Sequence, residues 1–135
     1  MTTKLRSQSL DQLNHLTGAV LDAAIRMHRE MGPGLLESVY QHCLIAELTE
    51  RGISVESMVV VPLYYRGKGL NKQYVIDLLV EREIVVELKA VEELLPVHDA
   101  QMISYLKLAN KRLGLLINFN VPLLKQGFRR FVNNL

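Results

Sequence analysis

The chain has 135 residues, 49% of them hydrophobic, one cysteine and a formal net charge of +2 at pH 7. This length and apolar content predict a single domain over residues 1–135 with a buried core, and residues 1–8 are expected to be flexible. The lone Cys43 excludes an internal disulfide framework. With neither a membrane span nor the apolar run of a signal peptide, the chain is expected to be cytoplasmic and to have no membrane partner.

Two helices are predicted at the start of the chain. Ser9 and Gln12 form a capping-box pattern, and apolar residues then recur at helical spacing. The glycines and proline of residues 32–34 end this helix, and a second helix is predicted over residues 35–51. Glu37 falls in the first turn of the second helix, where the helix dipole favours a carboxylate.

The middle of the chain reads as three strands. Residues 53–65 predict the first strand, and residues 66–72 form a basic, glycine-rich turn. That turn is either an ordinary solvated connection or a contact to a phosphate backbone. The two apolar, β-branched runs that follow are joined by the charged residues 81–83, which predicts a hairpin.

Three charged residues interrupt this apolar hairpin. Side chains alternate along a strand, so Glu87 and Lys89 share one face, and a tight hairpin brings Asp77 to the level of Glu87. Two carboxylates and one ammonium would then meet on an otherwise apolar surface. Such a cluster either pairs internally or holds a metal ion, because isolated buried charges are costly.

The remaining segments complete a mixed α/β (α+β) arrangement. Residues 98–109 predict a helix on which Gln101 and Tyr105 share a face. Residues 112–119 predict a buried strand, and a right-handed crossover makes it parallel to the strand that ends at Lys89. Residues 122–134 predict a short closing helix. The expected fold is a mixed four-stranded sheet flanked by helices.

A family resemblance accompanies these patterns. Gly34-x-x-Glu37-x-x-Tyr40 resembles the signature of the GxxExxY protein family, a bacterial group assigned to the PD-(D/E)XK nuclease superfamily. The similarity extends to residues 28–40, 76–80, 86–92 and 114–120, and so covers nearly the whole chain. It implies a restriction-endonuclease-like core whose centre is Asp77, Glu87 and Lys89.

The resemblance also implies roles for further residues. Glu37 matches an acidic residue of the first core helix that joins the strand carboxylates as a metal ligand. Gln101 and Tyr105 resemble a pair that flanks the metal site in one branch of the superfamily. The implied ion is Mg²⁺ or Mn²⁺, held by Asp77 and Glu87, with Glu37 and the backbone carbonyl of Leu88 as further ligands.

Three functions remain open at this point. The first is a metal-dependent nuclease that hydrolyses phosphodiester bonds of DNA or RNA, with a nucleic acid as partner. The second is a catalytically silent, nuclease-like module that binds nucleic acid or a protein partner. The third is a structural module whose charged cluster is only a salt-bridge network. A homo-oligomer or a larger protein partner is open in each case.

Overall fold

The computed structural model describes residues 9–134, so the flexibility predicted for residues 1–8 lies outside the described residues. Within residues 9–134 the chain forms three α-helices, five strands and one 3₁₀ turn. The elements follow in the order α1 (Leu10–Met31), α2 (Glu37–Glu50), β1 (Val55–Tyr65), β2 (Lys68–Val80), β3 (Ile84–Lys89), α3 (Pro96–Ala109), β4 (Leu113–Asn118), the 3₁₀ turn (Leu124–Gly127) and β5 (Phe128–Val132).

The strands form one mixed sheet in the spatial order β1-β2-β3-β4-β5. Strands β3 and β4 are parallel, and the other neighbouring pairs are antiparallel. The crossover through α3 therefore gives the parallel pairing that the sequence predicted. The predicted fold class, a mixed sheet flanked by helices, is confirmed.

Local sequence signals set the first helix. The Gln12 backbone N–H donates to Ser9 Oγ at 3.1 Å, and the Ser9 N–H donates to Gln12 Oε1 at 2.8 Å, which is the predicted capping box. The helix ends at Gly32, whose φ of 73° lies in the left-handed region that glycine accepts without steric cost.

Two apolar cores enclose the sheet. The larger one lies between the sheet and the pair α1–α2, and it includes Leu13, Val20, Tyr40, Leu44, Leu78, Val86, Leu115 and Phe119. The smaller one lies between the sheet and α3, and its members are Ile76, Leu79, Val85, Met102, Leu106 and Leu116. Strands β3 and β4 are buried on both faces, which is typical of strands with continuous apolar runs.

The closing helix predicted over residues 122–134 is wrong. A short 3₁₀ turn, Leu124–Gly127, is followed there by β5, which pairs antiparallel with β4. The backbone of buried β4 would otherwise present unpaired polar groups at that edge. Phe128 and Phe131 cover the two cores while Arg129 and Arg130 face water, so tertiary pairing overrides the local pattern.

The turn predicted over residues 66–72 is also wrong in length. Only Arg66 and Gly67, at φ 53° and 77°, lie between the paired residues Tyr65 and Lys68. Two successive left-handed residues are the geometry of a tight type I′ hairpin, which continues the strands without splaying them. The strand β2 therefore starts at Lys68. The sheet has five strands in residues 9–134 instead of the predicted four, because β5 takes the place of the predicted closing helix.

Candidate active site

The candidate site lies where β2 and β3 separate. Their regular pairing ends at Leu78 opposite Val86. Beyond that pair the Asp77 N–H donates to Glu87 Oε2 at 3.0 Å, and the Leu88 N–H donates to Asp77 Oδ2 at 2.9 Å. Two side-chain carboxylates thus replace backbone carbonyls in the sheet. The sequence placed Asp77 beside Glu87, and the structure has the two residues in direct contact.

A change of facing along β2 fixes the position of Asp77. Leu78 belongs to the core beneath α1 and α2, whereas Tyr74 and Ile76 pack in the core beneath α3. In regular alternation these even-numbered residues would share one face. On the neighbouring strand β1, Met58 lies between the regular pairs with φ 54°, so both strands exchange the faces of their side chains at this point. Asp77 lies where this change of facing occurs.

The first turn of α2 borders the carboxylates. Glu37 is exposed and its Oε2 accepts the Ala90 N–H at 3.4 Å, which places the carboxylate beside the end of β3. One helical turn later, Gln41 Nε2 donates to the backbone carbonyl of Asp77 at 3.4 Å. The helix therefore contacts both strands of the diverging hairpin.

Tyr40 organises the start of this helix. Its hydroxyl donates to the Gly32 carbonyl at 2.6 Å and accepts the Leu35 N–H at 3.1 Å. Its buried ring stacks on Phe119 with 4.6 Å between centroids. These contacts hold the loop that precedes Glu37, which is the contribution of Tyr40 to the site.

The residues after Glu87 are held at the end of the sheet. The Leu88 side chain is buried in the larger core, so only its backbone can face the site. Lys89 is half-buried, pairs with Asn118 in the parallel ladder, and its carbonyl accepts the Phe119 N–H at 2.9 Å. The buried Asn118 amide bonds both backbone groups of Val91, which fastens the following loop.

Helix α3 brings Tyr105 toward the site. The Tyr105 ring stacks on Tyr74 at 4.4 Å between centroids, and the Tyr74 hydroxyl donates to the Tyr105 carbonyl at 2.9 Å. Burial raises the pKa of Tyr105, and the negative charges of Glu87 and Asp77 raise it further. Gln101 is exposed one turn earlier on the same helix. Of this predicted pair, Tyr105 is the member that interacts electrostatically with the carboxylates.

The electrostatics of the site are dominated by burial. Burial raises the pKa of Glu87 to about 8, and the charge on Asp77 adds to that effect. Burial also raises the pKa of Asp77, against the opposing effects of the Leu88 N–H and of the Lys89 ammonium. Glu37 raises the pKa of both carboxyls by repulsion. Simultaneous ionisation of Asp77 and Glu87 is therefore disfavoured at this site.

This donor set fits a hard divalent cation. Within residues 9–134 no three side chains of Asp, Glu, His or Cys converge closely enough to form a ready-made metal site. However, Mg²⁺ is commonly bound by only one or two carboxylates, with water and substrate phosphate as the other ligands. The adjacent Asp77 and Glu87 carboxylates match that requirement, and a bound cation would favour the ionised forms that burial disfavours.

A mixed sheet with helices on both faces, and with Asp and Glu-x-Lys at a diverging hairpin, defines a nuclease-like fold. The chain matches the profile of the PD-(D/E)XK nuclease superfamily over residues 14–131, and it belongs to that superfamily. No curated protein and no solved structure matches the chain. No helix within residues 9–134 is long and apolar enough to span a membrane.

Three residues near the site were not predicted from the sequence. Gln41 follows Glu37 by four positions, a spacing that places both on one helix face and could have indicated it. Tyr74 lies three positions before Asp77, and the change from polar to apolar residues after Gln73 was its only signal in the sequence. Nothing in the sequence indicates the left-handed backbone at Met58.

Proposed function

We propose that the protein is a metal-dependent nuclease that hydrolyses phosphodiester bonds of DNA or RNA. The observation that carries this proposal is the pair of carboxylates, Asp77 and Glu87, set between diverging strands, with Lys89 two residues after Glu87. Such a pair would be a poor choice for stability alone, because both carboxyls resist ionisation where they stand.

Asp77 and Glu87 would bind a single Mg²⁺ or Mn²⁺ ion, with the Leu88 carbonyl as a further oxygen ligand. Glu37, whose carboxylate bonds the Ala90 N–H, would act through a water molecule. When bound, the ion supplies Lewis acidity, which lowers the pKa of a bound water and offsets charge on the phosphate.

The other residues would act on water and phosphate. In the reaction a water oxygen forms a bond to phosphorus and gives up a proton, while the bond from phosphorus to the leaving oxygen breaks and that oxygen takes up a proton from solvent. Lys89 would position the attacking water or, as the neutral amine, take its proton, and its ammonium form would stabilise the charge that grows on the phosphate oxygens. Tyr105 and Gln101 would orient the water or the phosphate by hydrogen bonds from α3.

Finer assignments accompany this proposal. The Gly34, Glu37 and Tyr40 spacing supports membership of the GxxExxY family within the superfamily. The superfamily match over residues 14–131 supports treating residues 1–135 as one nuclease-like domain. The expected cytoplasmic location agrees with a nucleic-acid substrate.

The test is cleavage of end-labelled single-stranded, duplex and branched DNA and of RNA, in Mg²⁺, in Mn²⁺ and in EDTA. Native protein is compared with Asp77→Ala, with Lys89→Ala and with Glu93→Gln, a control at an exposed loop acid. Cleavage should require the metal, vanish in the first two variants and persist in the control. Cleavage that persists in Asp77→Ala and Lys89→Ala would refute the assignment.

A specific observation favours a second candidate, a silent nuclease-like module. Among the described residues no group of three Asp, Glu, His or Cys side chains converges to hold a metal ion, and the third candidate ligand, Glu37, is bonded to Ala90. A module of this kind would bind nucleic acid or a protein partner without turnover. Nucleic-acid binding by the native protein, with no metal-dependent cleavage of any substrate in the panel, would favour it over the nuclease.

A further inference from the structure

The hairpin of β1 and β2 extends beyond the rest of the sheet. Pairing between β2 and β3 stops at Leu78, whereas pairing between β1 and β2 continues to Tyr65 opposite Lys68. We define the arm as residues 59–75, in which the two strands are hydrogen-bonded to each other. Its base is supported by the stack of Tyr74 on Tyr105, so the arm is anchored beside the candidate site.

All the charged side chains of the arm are basic. Between Glu56 and Asp77 the sequence contains three basic residues, Arg66, Lys68 and Lys72, and no acidic residue. All three basic side chains are exposed. A surface of this charge attracts phosphate and repels acidic proteins.

Two aromatic rings stand among these charges. Tyr64 and Tyr65 are each 62% exposed, and alternation places them on opposite faces of the hairpin. Tyr64 is paired with Gly69, and its ring lies over that glycine, 3.5 Å from where a Cβ would be. The Arg66 guanidinium lies 5.5 Å from the centroid of the Tyr65 ring. Exposed rings with adjacent cations are the elements with which proteins hold unpaired bases.

The arm also contains a cavity. Between the pairs Pro62–Gln73 and Tyr64–Gly69, β1 advances by two residues and β2 by four, so β2 contains two extra residues and bulges. Asn71, at φ 53°, lies in this bulge. This irregularity leaves an open concavity of about 560 Å³ lined by Pro62, Tyr64, Asn71, Lys72 and Gln73. It offers a ring for stacking, two amides for the edge of a base and an ammonium for a phosphate.

We propose that the arm binds unpaired nucleotides of the substrate, with one base against Tyr64 in this concavity and phosphates on Arg66, Lys68 and Lys72. Lys72 is five residues from Asp77 on the same strand, or about 16 Å at strand rise. A nucleic-acid strand bound along the arm would therefore extend to the carboxylates of Asp77 and Glu87. This inference rests on the proposed nuclease function and names its substrate class: nucleic acid with a single-stranded segment next to the bond that is cut.

The test measures binding without turnover. Fluorescence anisotropy in EDTA follows a labelled 16-nucleotide single strand and a blunt duplex of the same length against the full-length protein. Native protein should bind the single strand more tightly than the duplex. Tyr64→Ala should weaken single-strand binding about 5- to 150-fold, as expected for loss of one stacked base. Tyr64→Phe, which keeps the ring, should bind like the native protein.

Two further comparisons separate stacking from general effects. Lys72→Ala should reduce the slope of log affinity against log salt by about 0.7, the value for one phosphate contact to a single strand. Arg26→Ala on α1 and Val132→Ala at the opposite edge of the sheet remove a matched cation and a matched exposed apolar side chain. Neither control should change single-strand binding by more than about twofold.

The outcomes are distinct from those of the cleavage test. Native-like single-strand binding by Tyr64→Ala, equal binding of duplex, or no binding of any oligonucleotide would overturn the proposal. So would a dimer in sedimentation analysis that Tyr64→Ala dissociates, because the arm would then be an interface between two copies. If the native protein binds as expected but never cleaves, the nuclease assignment fails together with the claim about the bond that is cut, and only the binding of unpaired nucleotides by the arm is retained.

Discussion

The substitution Glu87→Gln tests the electrostatic description of the site. Glu87 is 6% exposed, and burial is the largest cause of a pKa raised from 4.5 to about 8. Glutamine has nearly the same shape, and its side-chain oxygen can still accept the Asp77 N–H that now bonds Glu87 Oε2. The variant therefore removes the titration while it keeps the packing and the hydrogen bond.

The sign of the effect follows from proton linkage. A folded-state pKa above the unfolded value means that the folded protein binds the proton more tightly. The stability that the protonated Glu87 allows is fully present below about pH 4.5 and is lost as the pH rises to about 8. The full difference corresponds to about 5 kcal/mol. Water entry and rearrangement around Lys89 lower the expected loss to about 1–3 kcal/mol.

The assay is thermal and urea unfolding in EDTA at pH 5 and at pH 8.5. Glu87→Gln should match the native protein closely at pH 5. At pH 8.5 it should be more stable by about 1–3 kcal/mol, or by about 4–12 °C in Tm for a chain of this length. Glu93→Gln controls for the loss of one exposed charge. A native-to-variant difference that is the same at both pH values would refute the raised pKa of Glu87.

Three further predictions follow from the structure. Millimolar Mg²⁺ or Mn²⁺ should raise the Tm of the native protein, because an ion at 100 times its Kd adds about 2.7 kcal/mol to the free energy of unfolding. A Tm that does not shift in differential scanning fluorimetry would count against a metal site. Tyr40→Phe should lose about 1–3 kcal/mol in urea unfolding, because the Gly32 carbonyl and the Leu35 N–H lose a partner; unchanged stability would show that these bonds are not needed. Gly127→Ala should destabilise by more than about 2 kcal/mol, because a Cβ there would overlap the Asn118 carbonyl; a native-like Tm would contradict this.

Much of the site was predictable because it depends on local geometry. The charged turn at residues 81–83 fixes the hairpin, and the period of two along a strand fixes which residues oppose each other. Those two facts place Asp77 beside Glu87, where the structure has them hydrogen-bonded. The capping box and the parallel crossover were predictable for the same reason, since each follows from short-range or general rules.

The remaining features depend on contacts between distant segments. Residues 128–132 have no strong strand pattern, and they become β5 because the buried edge of β4 needs hydrogen-bond partners. The position of Glu37 depends on Tyr40, whose hydroxyl holds a loop eight residues earlier while its ring stacks on Phe119. No period in the sequence reports such contacts. The change of facing of β2 at Asp77 also depends on a distant segment, because it requires the backbone conformation of Met58 on β1.

The measurement that tests the central claim most directly is the single-turnover rate of phosphodiester cleavage at saturating substrate in Mg²⁺, for native protein and for Asp77→Asn. Asparagine keeps the size of Asp77 and an oxygen to accept the Leu88 N–H, so the fold should persist, as circular dichroism would verify. The account predicts that the rate falls at least about 100-fold in the variant and becomes undetectable for the native protein in EDTA. A variant that cuts at the native rate would contradict it.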